Sequence, residues 1–254
     1  FVSNGIRCGY FRNQRKFVER SIDYFEKALD VARQNKMDKR AGAAQLLLAD
    51  MYLAVPDKDK ALRLAAEANS RISTLKDDSL KVEANNVYGR VYLARNDRIL
   101  ALRHHLMALD IAEEIKADDK STKRMKSGLM RNCYLNLSTF YTSIGDYDKA
   151  IDKYAEAYKM LDNLTDRKVP YQRCIDINAM GNLFAMKKSY DIAISYFERS
   201  IRMADTLKFA SLKLPGYVSM LNQYLRMDQP GKALNYLLSK EGQSLKVFLD
   251  TFRM

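Results

Sequence analysis

A chain of 254 residues in which 47% are hydrophobic and 29% charged, with only 10 glycines and 4 prolines, has the make-up of a helix-rich folded protein with an extended core and no disordered linker. Cys8, Cys133 and Cys174 are odd in number and form no CxxC, which excludes a disulfide framework and a zinc site. The net charge of +12 raises a nucleic-acid reading, but the excess is spread: +5 over residues 1–40, −1 over 41–120, and +4 over each of 121–200 and 201–254.

Taken in order, one helix-turn-helix pattern recurs six times, over approximately 1–40, 41–80, 81–120, 131–170, 174–212 and 214–243. A small residue serves as its ruler: Ser21, Ala61, Ala101, Ala150, Ala193 and Ala233, spaced by 40, 40, 49, 43 and 40 residues, a period that signals a helical solenoid. In the first unit Ser21, Phe25 and Ala28 mark a second helix, whereas its first helix, with Gly5, Cys8, Gly9 and Arg12, lacks an aromatic. Arg7, Arg12, Arg15, Lys16 and Arg20 there, interleaved with Tyr10, Phe11 and Phe17, read as a solvated face with its aromatics turned inward, since no nucleic-acid motif accompanies them.

In the second unit Leu48-Ala49 with Tyr52 precede Ala61, Ala65 and Ala68; the window Ala41 to Val55 is interrupted by Gln45 and Asp50 and is too short to span a bilayer. Tyr88-Gly89 with Tyr92, then Ala101, His105 and Ala108, make the third unit. Residues 115–131 absorb the long spacing as a loop or a helix extension. The fourth unit is the clearest: Leu137-Ser138 with Tyr141, Gly145 to end the helix, then Ala150, Tyr154 and Ala157. Met180-Gly181 with Phe184 and Ala193, Phe197 and Ser200 form the fifth; Met220-Leu221 with Tyr224, Pro230-Gly231, Ala233, Leu237 and Lys240 form the sixth. Large-small pairs let two backbones approach, and the i, i+4, i+7 stripe is one helical face. Asp57, Asp97, Asp146 and Ser189, each four residues before a ruler position, are placed to cap the second helix. Ser244 to Met254 begins another amphipathic helix, and a chain opening at Phe1 reads as part of a longer protein.

At these residues the chain resembles the tetratricopeptide-repeat (TPR) family, in its longer-period branch, over roughly 230 residues. The resemblance implies an all-α, right-handed superhelical solenoid of antiparallel helix pairs A and B, a single domain over 1–254. It also implies that the A helices line the concave surface. Mapped onto this chain, the inward positions are Asn86 and Arg90, Asn136 and Thr139, Asn178 and Asn182, and Asn222 and Arg226. An amide offers a donor and an acceptor, so such a ladder can hold the backbone of an extended peptide. Against this stands the bland alternative that asparagine is common at these positions in the family. The family's carboxylate clamp is disfavoured, because Leu46, Glu83, Leu135 and Ile175 occupy its basic positions.

His104 and His105 are the only histidines; adjacent on a helix, they diverge by about 100° and do not share a metal, and His105 falls on the packing stripe. Cys133 and Cys174 read as buried structural thiols. With no catalytic constellation, phosphate loop, metal set or cofactor motif, the leading expectation is a non-enzymatic protein- or peptide-binding module, the sensory or docking region of a bacterial signalling or transcriptional regulator. An attached kinase or DNA-binding output domain is what the resemblance implies. A stand-alone scaffold and direct nucleic-acid binding are the alternatives. Free thiols point to a reducing, cytoplasmic compartment, with the periplasmic part of a membrane sensor the other option.

Overall fold

The computed structural model describes residues 2–208 and 210–239, with side chains from Lys16 onward apart from Ala210 and Leu237. The proposed helix at 244–254, Lys240, and the side chains of the N-terminal cluster before Lys16, Cys8 among them, therefore lie outside the described residues. Those described are almost wholly helical: α1 (Val2–Gln34), α2 (Asp38–Ala54), α3 (Lys58–Ile72), α4 (Asp78–Ala94), α5 (Arg98–Glu114), α6 (Lys120–Ser143), α7 (Tyr147–Lys159), α8 (Val169–Met186), α9 (Tyr190–Thr206), α10 (Ala210–Arg226) and α11 (Pro230–Leu238). They group into two compact units, Phe1–Phe140 and Tyr141–Met254, the division falling within α6.

The helices end where the chain chemistry says they should. Asp57, Asp97 and Asp146 each accept a hydrogen bond from the backbone N–H three residues on, at 3.0, 3.0 and 3.2 Å, and so cap α3, α5 and α7. Ser189 occupies the same position before α9, but its hydroxyl makes no capping bond, which corrects the expectation for that residue. Asp77 caps α4 through the Leu80 N–H at 3.1 Å. One backbone motif closes every A-to-B turn: the N–H of Asp57, Asp97, Asp146, Ser189 and Gln229 reaches back to the carbonyl of Tyr52, Tyr92, Tyr141, Phe184 and Tyr224. Its left-handed residue is Gly145 in one turn but Asn96, Lys188 and Asp228 in others.

In the first unit α2 packs on α3 and α4 on α5, with α3 on α4 and α1 on α2 joining the pairs. Ala61 and Ala101 are fully buried at the crossings. Gly89 shows why a small residue is required there: a Cβ would stand 2.3 Å from the His105 ring. Residues 2–34 form one unbroken helix, so the break expected within 1–40 is absent. The register on α1 also differs: Ile22, Phe25, Leu29 and Ala32 face the core, whereas Ser21 is half-buried and Ala28 exposed. Phe17, expected to turn inward, is 70% exposed. The long interval before the fourth unit is a helix extension: α6 starts at Lys120, with Asp119 accepting from the Ser121 and Thr122 N–H groups.

In the second unit α8 packs on α9, α9 on α10, and α10 on α11. Ala193 and Phe197 are fully buried, and Gly181 gives Phe197 its room, since a Cβ would meet the ring at 2.5 Å. Cys174 is buried and donates to the Ser200 carbonyl at 3.3 Å, as a structural thiol should.

Candidate functional site

Helices α2, α4 and α6 line a cleft of about 340 Å³ in the first unit, walled by Leu46, Leu47, Val87 and Leu135 and floored by polar side chains. Four of the expected site residues meet there: Asn86 and Arg90 from α4, Asn136 and Thr139 from α6. One helical turn separates Asn86 from Arg90, which puts both on one face of α4.

Arg90 is held on two sides. Its Nε and Nη2 donate to both carboxylate oxygens of Asp50, on α2, at 2.9 and 2.5 Å, and its Nη1 donates to Asn136 Oδ1 at 3.2 Å. Asn136 in turn donates to the Asn132 carbonyl at 2.9 Å, and the Thr139 hydroxyl to the Leu135 carbonyl at 3.0 Å. Asn86 is 4% exposed, and its Nδ2 lies 3.4 Å from Cys133 Sγ. Its Oδ1 is buried without a hydrogen-bond partner. Burial pushes the Cys133 thiol up to about 11, so the sulfur stays protonated and neutral beside that amide.

Glu83, one turn before Asn86, has no hydrogen-bond or ion-pair partner among the described residues. Desolvation in the concavity raises its carboxyl above the ordinary range; Arg90 pulls the other way, and Asp77 and Asp50 reinforce the rise. The Glu83 side chain is itself exposed, so its carboxyl is raised by the protein standing around it and not by enclosure.

The other expected site residues gather separately. On α8, Asn178 is 8% exposed and accepts from Asn182 Nδ2 at 3.5 Å; Ser219 on α10 donates to Asn182 Oδ1 at 3.4 Å. Asn222 and Arg226 are exposed on α10. Sequence reasoning missed Asp50 and Glu83 as cleft residues. Asp50 had a usable signal, because it precedes Arg90 by 40 residues, one repeat period.

The histidines stand behind this face. His105 is 1% exposed, and burial, helped by Arg90 and His104, lowers its pKa to about 4, so it packs as a neutral ring. His104 stacks against both Tyr88 and Tyr92, with centroids at 4.9 and 5.4 Å, and its Nδ1 lies 2.9 Å from Asn85 Oδ1. No group of three or more His, Cys, Asp or Glu is arranged to hold a metal ion, and no helix is long and apolar enough to cross a membrane, among the described residues.

Antiparallel helix pairs crossing at buried alanines, with one face of the A helices open as a polar cleft, define an α-helical repeat protein, an architecture that presents extended binding surfaces. Residues 133–168 match the family model of the tetratricopeptide repeat, and the fold around them is TPR-like. BtubC (BKLC) from P. vanneervenii is similar in fold with a TM-score of 0.69 at 18% identity, over 92% of each chain. A STAND signal-transduction ATPase with a tetratricopeptide-repeat sensor, from Pyrococcus horikoshii, superposes with a TM-score of 0.61 at 17% identity, covering 91% of this chain and 35% of that one. A Rap protein complexed with competence and sporulation factor gives 0.56 at 14% identity, over 94% and 67% of the two chains. No curated protein matches the chain in sequence at a significant level.

Proposed function

We propose that the chain is a non-enzymatic binding module that holds an extended segment of a peptide or protein along its A helices, and that it serves as the sensory or docking part of a signalling regulator. The observation that carries this reading is the cleft, where Asn86, Arg90, Asn136 and Thr139 from two A helices line one concavity beside apolar walls. Amide side chains on a rigid helical face suit the alternating donors and acceptors of an extended backbone. Asn178 and Asn182 give the second unit its own amide pair for the same purpose, with Asn222 and Arg226 on α10 as further contacts. The sensor role draws support from similar structures: one is a signalling ATPase with a TPR sensor, another a Rap protein in complex with competence and sporulation factor.

A nucleic-acid role gains no comparable support, since Arg90, the cation of the cleft, is engaged by Asp50 and not offered to phosphate. The test is selection from a library of random extended peptides by the full chain, followed by anisotropy titration of the enriched peptide. Thr139→Trp, which fills the cleft from an exposed position, and the double change Asn178→Ala with Asn182→Ala should each weaken binding by about tenfold or more with little change in melting temperature. Binding that survives both sets of changes removes the groove as the binding surface.

A further inference from the structure

Among the polar groups of the first-unit cleft, two are left with unmet demands, and both ask for the same thing. Arg90 is saturated on its acidic side by both oxygens of Asp50, so its charge is compensated within the protein. Glu83 is not compensated: it is a carboxylate in the cleft with no ion-pair partner among the described residues. Counting Asp50, Glu83 and Arg90, the cleft carries one uncompensated negative charge. Beside it in the cleft lining is Asn86, 96% buried, whose carboxamide oxygen accepts from nothing. A buried acceptor left empty costs free energy, and an unpaired carboxylate in a cleft draws a counter-ion; one donor-rich cation answers both. The lining also includes Leu47, Val87 and Leu135, apolar surface of the kind that receives the methylene stem of a long basic side chain.

We propose that this cleft is a subsite for an alkylammonium or guanidinium group, the basic side chain of a lysine or arginine on the bound segment, with Glu83 as its counter-ion and Asn86 Oδ1 as a second acceptor. The proposal rests on the groove reading above for the origin of that side chain, but not for the chemistry of the subsite. Desolvation of Glu83 makes a further demand on the data. An arriving cation restores the charged form, so binding releases a proton near the carboxyl's raised pKa and weakens as the pH falls through it.

The experiment uses the full chain and small probes, so that it does not depend on finding the natural ligand. N-acetyl-arginine amide and N-acetyl-lysine amide are titrated while the Asn86 side-chain amide resonances and the Glu83 carboxyl carbon are followed by NMR. N-acetyl-citrulline amide is the uncharged control, and norleucine amide with a free amino group separates a backbone terminus from a side chain. The basic side-chain probes should shift both resonances, lower the Glu83 titration midpoint, and bind about tenfold more tightly than citrulline, the scale of one charge-assisted hydrogen bond. Glu83→Gln should abolish that preference without lowering the melting temperature, because it removes an exposed, unpaired carboxylate; a residue kept for folding would lower it. Equal binding of citrulline, or a preference untouched by Glu83→Gln, overturns the subsite. Tighter binding of norleucine amide reassigns the cation to a chain terminus and overturns the side-chain assignment. If the arginine probe binds as described but no extended peptide is ever selected, the groove reading fails and the subsite stands.

Discussion

The two units place amides at equivalent positions of their A helices and use them differently. In the first, Asn86 and Asn136 sit around an Asp50–Arg90 ion pair and an uncompensated Glu83. In the second, Asn178, Asn182 and Ser219 form a relay of neutral hydrogen bonds at 3.4 to 3.5 Å. The repeat therefore fixes where a side chain stands but not what it does. Charge brought in from the preceding repeat, as Asp50 paired with Arg90, is what separates the first row from the neutral one.

The largest expected effect tests the same contrast inside the core. The knob that packs against the A-helix glycine is His105 in the first unit and Phe197 in the second, both essentially inaccessible. His105 has its pKa lowered from 6.5 to about 4, so between these values the folded state binds fewer protons than the unfolded chain. The stabilisation is fully present above the unfolded pKa and is lost as the pH falls through the window, in total by roughly 3 kcal/mol. His105→Phe, which copies the second unit, should leave stability at pH 7 within about 1 kcal/mol of wild type, and should remove that acid-linked loss. Urea denaturation of both proteins at pH 7 and pH 4.5 reads the difference. An identical pH dependence in the two would mean that the buried imidazole is not what senses acid.

A smaller effect separates the polar rows. Removing Asp50 leaves the half-buried Arg90 guanidinium without its carboxylate, and Asp50→Ala should cost about 1 kcal/mol after allowance for partial solvent screening. Asn182→Ala breaks only long, neutral contacts and should cost no more than about 0.5 kcal/mol. Denaturation midpoints at low and high salt check both, since only the first should depend on ionic strength. Equal costs would erase the distinction between a charged and a neutral row.

Much of the fold was legible because the repeat imposes sterics that few residues satisfy. Ala61, Ala101, Ala150 and Ala193 announce close crossings, and each is fully buried. The turns were less legible: a shared backbone motif closes them, but only Gly145 is a glycine, and Asn96, Lys188 and Asp228 take the left-handed conformation without advertising it. In α1 the spacing picked Ser21, Phe25 and Ala28; Phe25 does pack against the core, but beside it burial selects Ile22 and Leu29, one position on from the two small residues, and Gly5 and Gly9 do not break the helix. Of the cleft, the family register supplied Asn86, Arg90, Asn136 and Thr139. Asp50 escaped because the register was not stepped back one further repeat. Glu83 was read only as a residue that spoils a carboxylate clamp, and the Asp50 charge that helps raise its carboxyl comes from α2, outside any local pattern.

The smallest expected effect lies at the helix starts, where α5 and α9 differ. Asp97 accepts the Leu100 N–H at 3.0 Å, so Asp97→Ala strands one of the first-turn donors of α5 and should cost about 1 kcal/mol. Ser189 holds the same place before α9, yet its hydroxyl makes no capping bond, and Ser189→Ala should change stability by less than about 0.3 kcal/mol. Ser189→Asp sharpens the comparison. A carboxylate there reaches the same N–H as in the other turns and adds a negative charge at the positive end of the α9 dipole, so the variant should gain about 0.5 to 1 kcal/mol. Melting curves of the three variants order them as Ser189→Asp above wild type, Ser189→Ala level with it, and Asp97→Ala below. A loss from Ser189→Ala as large as that from Asp97→Ala would mean that the serine caps α9 in solution as Asp97 caps α5.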